Sequence, residues 1–139
     1  CASFACQSAR RCLCSSRRTK QVVGHIWIVI VNYRTAVLTV DCLHSIAAQI
    51  AELPKLHTVV VDNASGDGSI EKLMGVFDRE GWHGWASLLP LDRNGGFAFG
   101  NNAGIREALR STRHVDYVMF LNPDTIVRGG AIRAFREQR

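Results

Sequence analysis

The sequence lacks any long uninterrupted apolar run. Its longest one covers only Ile26 to Val31, whereas a helix that crosses a bilayer needs about 20 apolar residues. Residues 1–20 also lack the apolar segment that a secretory signal requires. The pattern therefore excludes a membrane-spanning helix and shows no signal peptide.

Cysteine is almost missing from the main part of the chain, because four of the five cysteines lie in residues 1–20. The Cys12-x-Cys14 pair there lacks the paired C-x-x-C spacing and the nearby histidine of a zinc site. The tail has no apolar periodicity, so we expect it to be disordered. A body with Cys42 alone is typical of a reduced, cytoplasmic protein.

Acidic residues are also absent from the tail, which explains the net charge of +5. Of the 17 Lys and Arg residues, five lie in the tail, which leaves 12 to balance the 12 Asp and Glu of residues 21–139. A protein that binds nucleic acid needs its basic stripe on the folded surface. We therefore expect no nucleic-acid partner.

Two common phosphate-binding motifs are missing. No G-x-G-x-x-G follows the first predicted strand, and no G-x-x-x-x-G-K-[ST] occurs anywhere. Gly95 and Gly100 have the glycine spacing of the second motif, but Asn101 stands where its lysine must be. These absences argue against a Rossmann dehydrogenase and a P-loop NTPase.

Strand and helix patterns alternate along residues 21–139. β-Branched and apolar runs predict strands at 26–31, 58–61, 86–91 and 117–121, and helical spacing predicts helices at 35–50, 70–79, 103–112 and 131–139. This order indicates an α/β fold, with a Rossmann-like, mainly parallel sheet and flanking helices. Because the pattern ends inside a predicted helix, we expect residues 21–139 to be the N-terminal part of a larger domain.

The run Tyr117 to Leu121 is the pattern of a strand buried on both faces. Asn122-Pro123 ends it stiffly, since proline holds the preceding residue extended. Asp124 is then the first group presented at the carboxyl end of the strand, where ligands of open α/β sheets bind. A carboxylate there suits Mg²⁺ or Mn²⁺ with a phosphate on its far side. The alternative is that Asp124 only caps the next helix.

Polar clusters also follow the first two strands, at Asn32-Tyr33 and Asp62-Asn63. The Tyr33 ring can lie against a nucleobase, and Asp62 can accept a hydrogen bond from a base N–H. The alternative for Asp62 is a simple turn with Ser65.

A glycine-rich segment, residues 94–102, precedes the predicted third helix. Gly95, Gly96 and Gly100 would let the backbone approach a ligand closely, and the helix N-terminus favours an anion. Alternatively, Asn101 and Asn102 cap the helix and the glycines serve a tight loop. Phe97 and Phe99 are expected in the core.

Four blocks in order resemble the signature of family-2 nucleotide-sugar glycosyltransferases of the GT-A fold, particularly the rhamnosyltransferase-like branch. They are Val29-Ile30-Val31-Asn32-Tyr33-Arg34, Val60-Val61-Asp62-Asn63-Ala64-Ser65-Gly66-Asp67-Gly68-Ser69, Asn94-Gly95-Gly96-Phe97-Ala98-Phe99-Gly100-Asn101-Asn102 and Leu121-Asn122-Pro123-Asp124-Thr125. The resemblance covers residues 25–139.

The resemblance implies a donor site and a metal site. The implied donor-binding residues are Val31, Asn32, Tyr33, Asp62, Asn63, Asn94, Gly96, Asn101, Asn102 and Asn122. Asp124 matches the end of the D-x-D-type motif and would bind Mg²⁺ or Mn²⁺ on the donor diphosphate. Asn122 replaces the first Asp of that motif, which leaves a single anionic ligand.

The implied activity is inverting, metal-dependent sugar transfer from a dTDP- or UDP-sugar to a saccharide or lipid-linked acceptor in cell-surface polysaccharide synthesis. The general base is expected downstream of this chain, so we expect these residues alone to be inactive. The location is expected to be cytoplasmic, with peripheral attachment to the inner face of the plasma membrane left open. The alternative is a non-catalytic nucleotide-binding α/β module or an inactive fragment.

Overall fold

A computed structural model describes residues 24–137, so the predictions for the tail lie outside the described residues. Within them, four parallel strands form one sheet in the order β3-β2-β1-β4. The strands are β1 (Ile26–Asn32), β2 (Leu56–Asp62), β3 (Ala86–Pro90) and β4 (Tyr117–Leu121). The predicted α/β class with a parallel sheet is confirmed.

Four α-helices connect or follow the strands. They are α1 (Ala36–Ala47), α2 (Ser69–Glu80), α3 (Phe97–Arg110) and α4 (Ala131–Glu137), with 3₁₀ turns at Ile50–Glu52 and Trp82–Gly84. In the part of the chain that the structure covers, no helix is both long enough and apolar enough to cross a bilayer.

Helices cover the sheet on both faces. Because side chains alternate along each strand, neighbouring residues of a strand pack on opposite faces. On one face, Ile28 and Ile30 of β1 belong to a core cluster with Leu43 of α1 and Leu73 of α2. On the other face, residues such as Val29 pack in a separate cluster with Ala108 of α3. Helices on both faces explain why β1 is apolar at every position but its last.

The strand order reverses next to β1. The chain runs outward from β1 to β2 and β3 and then returns to place β4 on the other side of β1. In open α/β sheets, such a switch point leaves a crevice outside the carboxyl ends of the two strands, and ligands bind there. A ligand-binding site is therefore expected among the residues that follow β1 and β4.

Helix α3 lies close to the sheet because it carries two glycines on its inner face. A Cβ on Gly100 would stand 2.8 Å from a methyl carbon of Val31, and one on Gly104 would stand 2.5 Å from a methyl carbon of Val29. Both distances are far below normal carbon contact. Gly100 is thus required for packing of α3 on β1. The sequence-based prediction had instead given this glycine the role of letting the backbone approach a ligand.

We expect Gly104→Ala to lower the free energy of unfolding by about 1–3 kcal/mol, because the added methyl overpacks the contact with Val29. Gly75→Ala is the matched control, since Gly75 is exposed on α2 and its Cβ would meet nothing within 4 Å. That variant should gain roughly 0.5–1 kcal/mol from helix propensity. Urea denaturation of both variants measures the difference, and equal effects would contradict this account of α3 packing.

Two predicted helix limits were wrong. α3 begins at Phe97 instead of near Ala103, so Asn101 and Asn102 do not cap it. α1 ends at Ala47, before the predicted limit near residue 50. α4 begins at Ala131 as predicted, which excludes the alternative that Asp124 caps it.

Three expectations about burial were also wrong. β4 is an edge strand and is only partly buried, with Phe120 47% exposed, because α3 packs over β1 and β2 instead. Phe97 is exposed and not in the core. Val37 and Leu38 of α1, which their helical spacing predicted on its sheet-facing side, are exposed, while Ala36 and Thr39 are buried.

Candidate functional site

A cavity of about 460 Å³ opens at the switch point between β1 and β4. It is lined by residues from the end of β1, the start of α1, the end of β2, the start of α3 and the turn after β4: Val31, Tyr33, Thr35, Leu38, Asn63, Asn94, Gly96, Phe97, Asn122, Pro123 and Asp124. Its volume lies within the range of small-molecule sites in proteins. The cavity thus joins four chain segments that the sequence analysis had singled out.

The Asp124 carboxylate belongs to this cavity and is exposed. The turn that carries it is closed by a hydrogen bond from the Thr125 backbone N–H to the Asn122 carbonyl oxygen, at 3.1 Å. Among the described residues, none gives this carboxylate a hydrogen bond or an ion pair. Asp124 therefore has no hydrogen-bond or ion-pair partner in residues 24–137 that would give it a structural role.

The electrostatic influence of Asp124 reaches the sheet-facing side of α1. Burial, and then the negative charge of Asp124, raise the pKa of the Cys42 thiol to about 11. Cys42 is fully buried and stays protonated at neutral pH. This thiol therefore does not act as a nucleophile in the cavity.

A buried hydrogen-bond network joins the ends of β1 and β2 beneath the cavity. The Asn32 side-chain amide donates to Asp62 Oδ1 at 2.7 Å, and the same oxygen accepts from the Ser65 hydroxyl at 2.6 Å. Asp62 Oδ2 accepts from the Ser65 backbone N–H at 3.0 Å. Asn32 and Asp62 have no exposed surface, so the structure places them behind the cavity and not in its wall.

The same network sets the start of α1. The Asn32 side-chain carbonyl accepts hydrogen bonds from the hydroxyls of Thr35 at 3.1 Å and Thr39 at 2.9 Å. Thr35 stands at the N-cap position of α1, but its side chain makes no capping bond to the helix. Its hydroxyl is instead used to hold Asn32.

Tyr33 projects where β1 ends and is 40% exposed. The next residue, Arg34, has a positive φ of 58°, and its guanidinium lies 5.2 Å from the centre of the Tyr33 ring. Its backbone N–H donates to the Ser65 hydroxyl at 3.0 Å. These contacts fix the turn after β1, and they leave the Tyr33 ring at the cavity wall with the Arg34 guanidinium beside it.

Asn63 connects the end of β2 to the glycine-rich segment. Its amide donates to Asn94 Oδ1 at 2.9 Å and to the Gly96 carbonyl oxygen at 3.1 Å. Its own Oδ1 is buried and has no partner in the described part of the chain. Asn63 thereby holds one wall of the cavity in place and retains an unused acceptor.

Gly96 adopts φ 89° and ψ 177° immediately before α3, a combination that is essentially restricted to glycine. We expect Gly96→Ala to cost roughly 1–3 kcal/mol of stability and to disturb the bond from Asn63. Gly129→Ala is the control, because Gly129 has an ordinary φ and open space at its Cβ position; its effect should stay within about 0.5 kcal/mol. Urea denaturation checks both, and a neutral Gly96→Ala would refute the backbone argument.

The structure brings seven of the eleven sequence-predicted site residues to the cavity: Val31, Tyr33, Asn63, Asn94, Gly96, Asn122 and Asp124. Asn32 and Asp62 lie behind it, and Asn101 and Asn102 lie on α3 outside its lining. Sequence analysis missed Thr35, Leu38, Phe97 and Pro123 as lining residues. Nothing in the sequence marked Leu38 as a lining residue, because its helical spacing placed it among the core residues of α1.

The oxygen atoms of the cavity residues suit a hard divalent cation only when water or phosphate oxygens complete its coordination shell. Within residues 24–137, no three His, Cys, Asp or Glu side chains cluster as a metal centre. The free Asp124 carboxylate and the neighbouring Asn122 side chain supply oxygen atoms of the kind that Mg²⁺ accepts. Mg²⁺ sites commonly use one or two carboxylates with water and substrate phosphates, so the residues present fit that arrangement.

A family model, Glycosyl transferase family 2, matches residues 27–137. This chain belongs to that family. The match covers α4 and all four strands except Ile26, the first residue of β1, and it includes every residue that lines the cavity. None of the curated proteins matches the chain in sequence.

Solved structures share the fold of this family member. A mannosyltransferase, PcManGT from Pyrobaculum calidifontis in complex with GDP-Man and Mn²⁺, aligns with a TM-score of 0.68 at 22% identity over 81% of this chain and 32% of its own. S. aureus TarS 1-349 in complex with UDP-GlcNAc aligns with a TM-score of 0.64 at 17% identity over 80% of this chain and 30% of its own. The chain therefore spans about a third of the length of these structures.

Proposed function

We propose that this chain forms the donor-binding part of a glycosyltransferase that takes a sugar from a nucleotide-diphosphate donor. The observation that carries the proposal is the Asp124 carboxylate, which lines the same cavity as the Tyr33 ring and lacks any hydrogen-bond or ion-pair partner among the described residues. A carboxylate without a partner can hold a divalent cation, and an aromatic ring in the same cavity can stack on a flat base. A nucleoside diphosphate bound together with a divalent cation matches both features.

Each wall of the cavity has a role in this proposal. Tyr33 stacks against the base, and the unused acceptor Asn63 Oδ1 is available to an N–H or O–H of the nucleoside. The diphosphate lies near Gly96 and the first turn of α3, where free backbone N–H groups favour an anion. Asp124 and Asn122 would hold Mg²⁺ or Mn²⁺, which would offset the negative charge of the phosphates.

The reaction class follows from where charge develops. As the bond between sugar and diphosphate breaks, the leaving nucleoside diphosphate gains negative charge, and a bound divalent cation supplies Lewis-acid stabilisation of that charge. Asp124 would hold the cation in place, because it lies within the turn after β4 that the hydrogen bond from Thr125 to Asn122 closes. Such stabilisation accelerates the reaction when it is stronger in the transition state than in the ground state.

We infer an inverting displacement, in which a general base removes the proton of the acceptor hydroxyl. Of the described side chains in the cavity wall, Asp124 alone is a carboxylate, and its proposed role is metal binding. We therefore assign the base to a part of the enzyme outside this cavity. A saccharide or lipid-linked acceptor and the rhamnosyltransferase-like branch stay proposals that rest on the sequence blocks.

The donor is proposed to be a dTDP- or UDP-sugar, used for cell-surface polysaccharide. Two fold relatives support a nucleotide-sugar donor, since PcManGT is in complex with GDP-Man and Mn²⁺ and TarS with UDP-GlcNAc. A cytoplasmic location, with peripheral attachment to the inner face of the plasma membrane, is part of the same proposal.

Calorimetric titration of the chain with UDP, dTDP and GDP tests this function. We expect one of the three to bind in the presence of Mn²⁺ and to bind much more weakly when EDTA removes the metal. Adenosine diphosphate serves as the control for non-specific diphosphate binding. Failure of every nucleotide to bind with Mn²⁺ present, or identical affinity with EDTA, would overturn the proposal.

A further inference from the structure

A second polar cavity lies at the opposite end of the sheet from the proposed donor site. Its walls come from the starts of β1 and β2 and from the segment between α3 and β4, and its volume is about 40 Å³. The polar residues that line it are His25, Trp27, Lys55, His57, Arg113 and His114. No residue of this cavity takes part in the proposed function.

One wall of the cavity is formed by Trp27, which is only 5% exposed. Its indole N–H is buried and has no acceptor among the described residues. The His57 ring lies against the indole, with 4.3 Å between the ring centres. Native proteins seldom leave such a donor unsatisfied, because an unpaired buried N–H costs about 1–3 kcal/mol.

The surrounding side chains present N–H donors and positive charge. One guanidinium nitrogen of Arg113 lies 3.4 Å from His57 Nδ1, so most of its five N–H groups remain available. Burial, and then the charge of Arg113, lower the pKa of His57 to about 4, which keeps that ring neutral at pH 7. Arg113 and Lys55 therefore supply the positive charge at the cavity.

The acid nearest to this cluster is already occupied. Asp116 accepts hydrogen bonds from the His25 backbone N–H at 2.7 Å and from the His114 ring at 3.0 Å. The side chain of Asp116 is not part of the cavity wall. The cavity thus has cationic residues in its wall and no carboxylate among its described lining residues.

We propose that this cavity binds a small inorganic oxyanion such as phosphate, with the Trp27 indole N–H and the Arg113 guanidinium as hydrogen-bond donors. Its volume of about 40 Å³ has room for roughly three waters or one small anion and excludes a nucleotide. The bound anion ties β1 and β2 to the segment before β4. It therefore stabilises the end of the sheet away from the donor cavity.

Nitrogen-15 NMR of the whole chain gives a direct readout, because the protein has three tryptophans, Trp27, Trp82 and Trp85, and each contributes one indole N–H peak. Sodium phosphate is titrated at constant ionic strength against sodium chloride. We expect the Trp27 peak, assigned with Trp27→Phe, to shift in a saturable way. The peaks of Trp82 and Trp85 should stay where they are.

Arg113→Gln is expected to weaken the phosphate affinity by roughly tenfold or more, the usual effect of losing a charge-assisted hydrogen bond. Arg110→Gln is the matched control, since Arg110 is an exposed residue near the end of α3 and does not line the cavity. It should leave the titration unchanged. No saturable shift of Trp27, an equal shift in Arg113→Gln, or a crystal structure in phosphate with only waters in the cavity would overturn the proposal.

Discussion

Asp124→Asn is expected to reduce the affinity for the nucleoside diphosphate in Mn²⁺ by on the order of 100-fold. Loss of even an outer-shell partner of a metal site commonly costs roughly 10- to 100-fold, and Asp124 would be an inner ligand. It is also the one carboxylate among the described residues of the cavity wall. The asparagine keeps the shape of the side chain and removes its charge, so calorimetry measures the contribution of that charge.

Asp41→Asn provides the matched control for this experiment. Asp41 is an exposed carboxylate on α1 that does not line the cavity, so its removal should leave the affinity unchanged. A second control is the metal itself, because in EDTA Asp124→Asn should bind no more weakly than the wild type, which then has a carboxylate that repels the diphosphate. If Asp124→Asn bound the nucleotide with wild-type affinity in Mn²⁺, Asp124 would have no role in metal binding.

The strands were predictable because their signal is strong and local. The predicted strands that begin at Ile26 and Thr58 lie within β1 and β2, and the observed strands extend them by one residue in β1 and by three in β2. Helices on both faces keep the central positions of these strands apolar, and that pattern does not depend on distant residues. The position of Asp124 at the cavity was also predictable, since a carboxylate that follows a strand and a proline stands at the carboxyl edge of a parallel sheet.

The start of α3 was not predictable from local patterns. Its first two turns contain Gly100 and follow Gly95 and Gly96, and glycine is a poor helix former. The helix forms there because Gly100 packs directly on Val31, a contact between residues far apart in the sequence. Tertiary packing therefore determines this helix, and single-sequence propensity assigns the same residues to a loop.

The prediction that β4 is buried on both faces failed for a related reason. A run of five apolar residues indicates a buried strand, but it does not say how much of each face a helix covers. α3 crosses β1 and β2, so Phe120 on β4 is left 47% exposed. The exposed edge is a consequence of the strand order, which no local pattern contains.

The position of Asp62 separates two roles that the sequence could not distinguish. The family resemblance implies contact with the base or ribose, whereas the structure places this carboxylate behind the cavity with three hydrogen bonds from Asn32 and Ser65. The first role predicts loss of affinity for the nucleoside alone. The second predicts loss of stability and of the shape of the site.

We expect Asp62→Ala to lower the free energy of unfolding by about 3 kcal/mol, because it leaves buried donors of Asn32 and Ser65 without their acceptor. Asp67→Ala is the control in the same loop, since Asp67 is exposed and accepts hydrogen bonds only from Ser69. Its cost should stay below about 1 kcal/mol. Urea denaturation measures both variants, and equal small effects would contradict a structural role for Asp62.

Asp62→Asn then tests the binding role with little change of shape, in conditions where the variant is folded. Its affinities for UDP and for inorganic diphosphate, both in Mn²⁺, are compared with those of the wild type. If Asp62 holds the loops that carry Tyr33 and Asn63, both affinities should fall together, since the cavity wall itself moves. A loss confined to UDP would instead assign Asp62 to the base, and the buried network would have to open for the donor to bind.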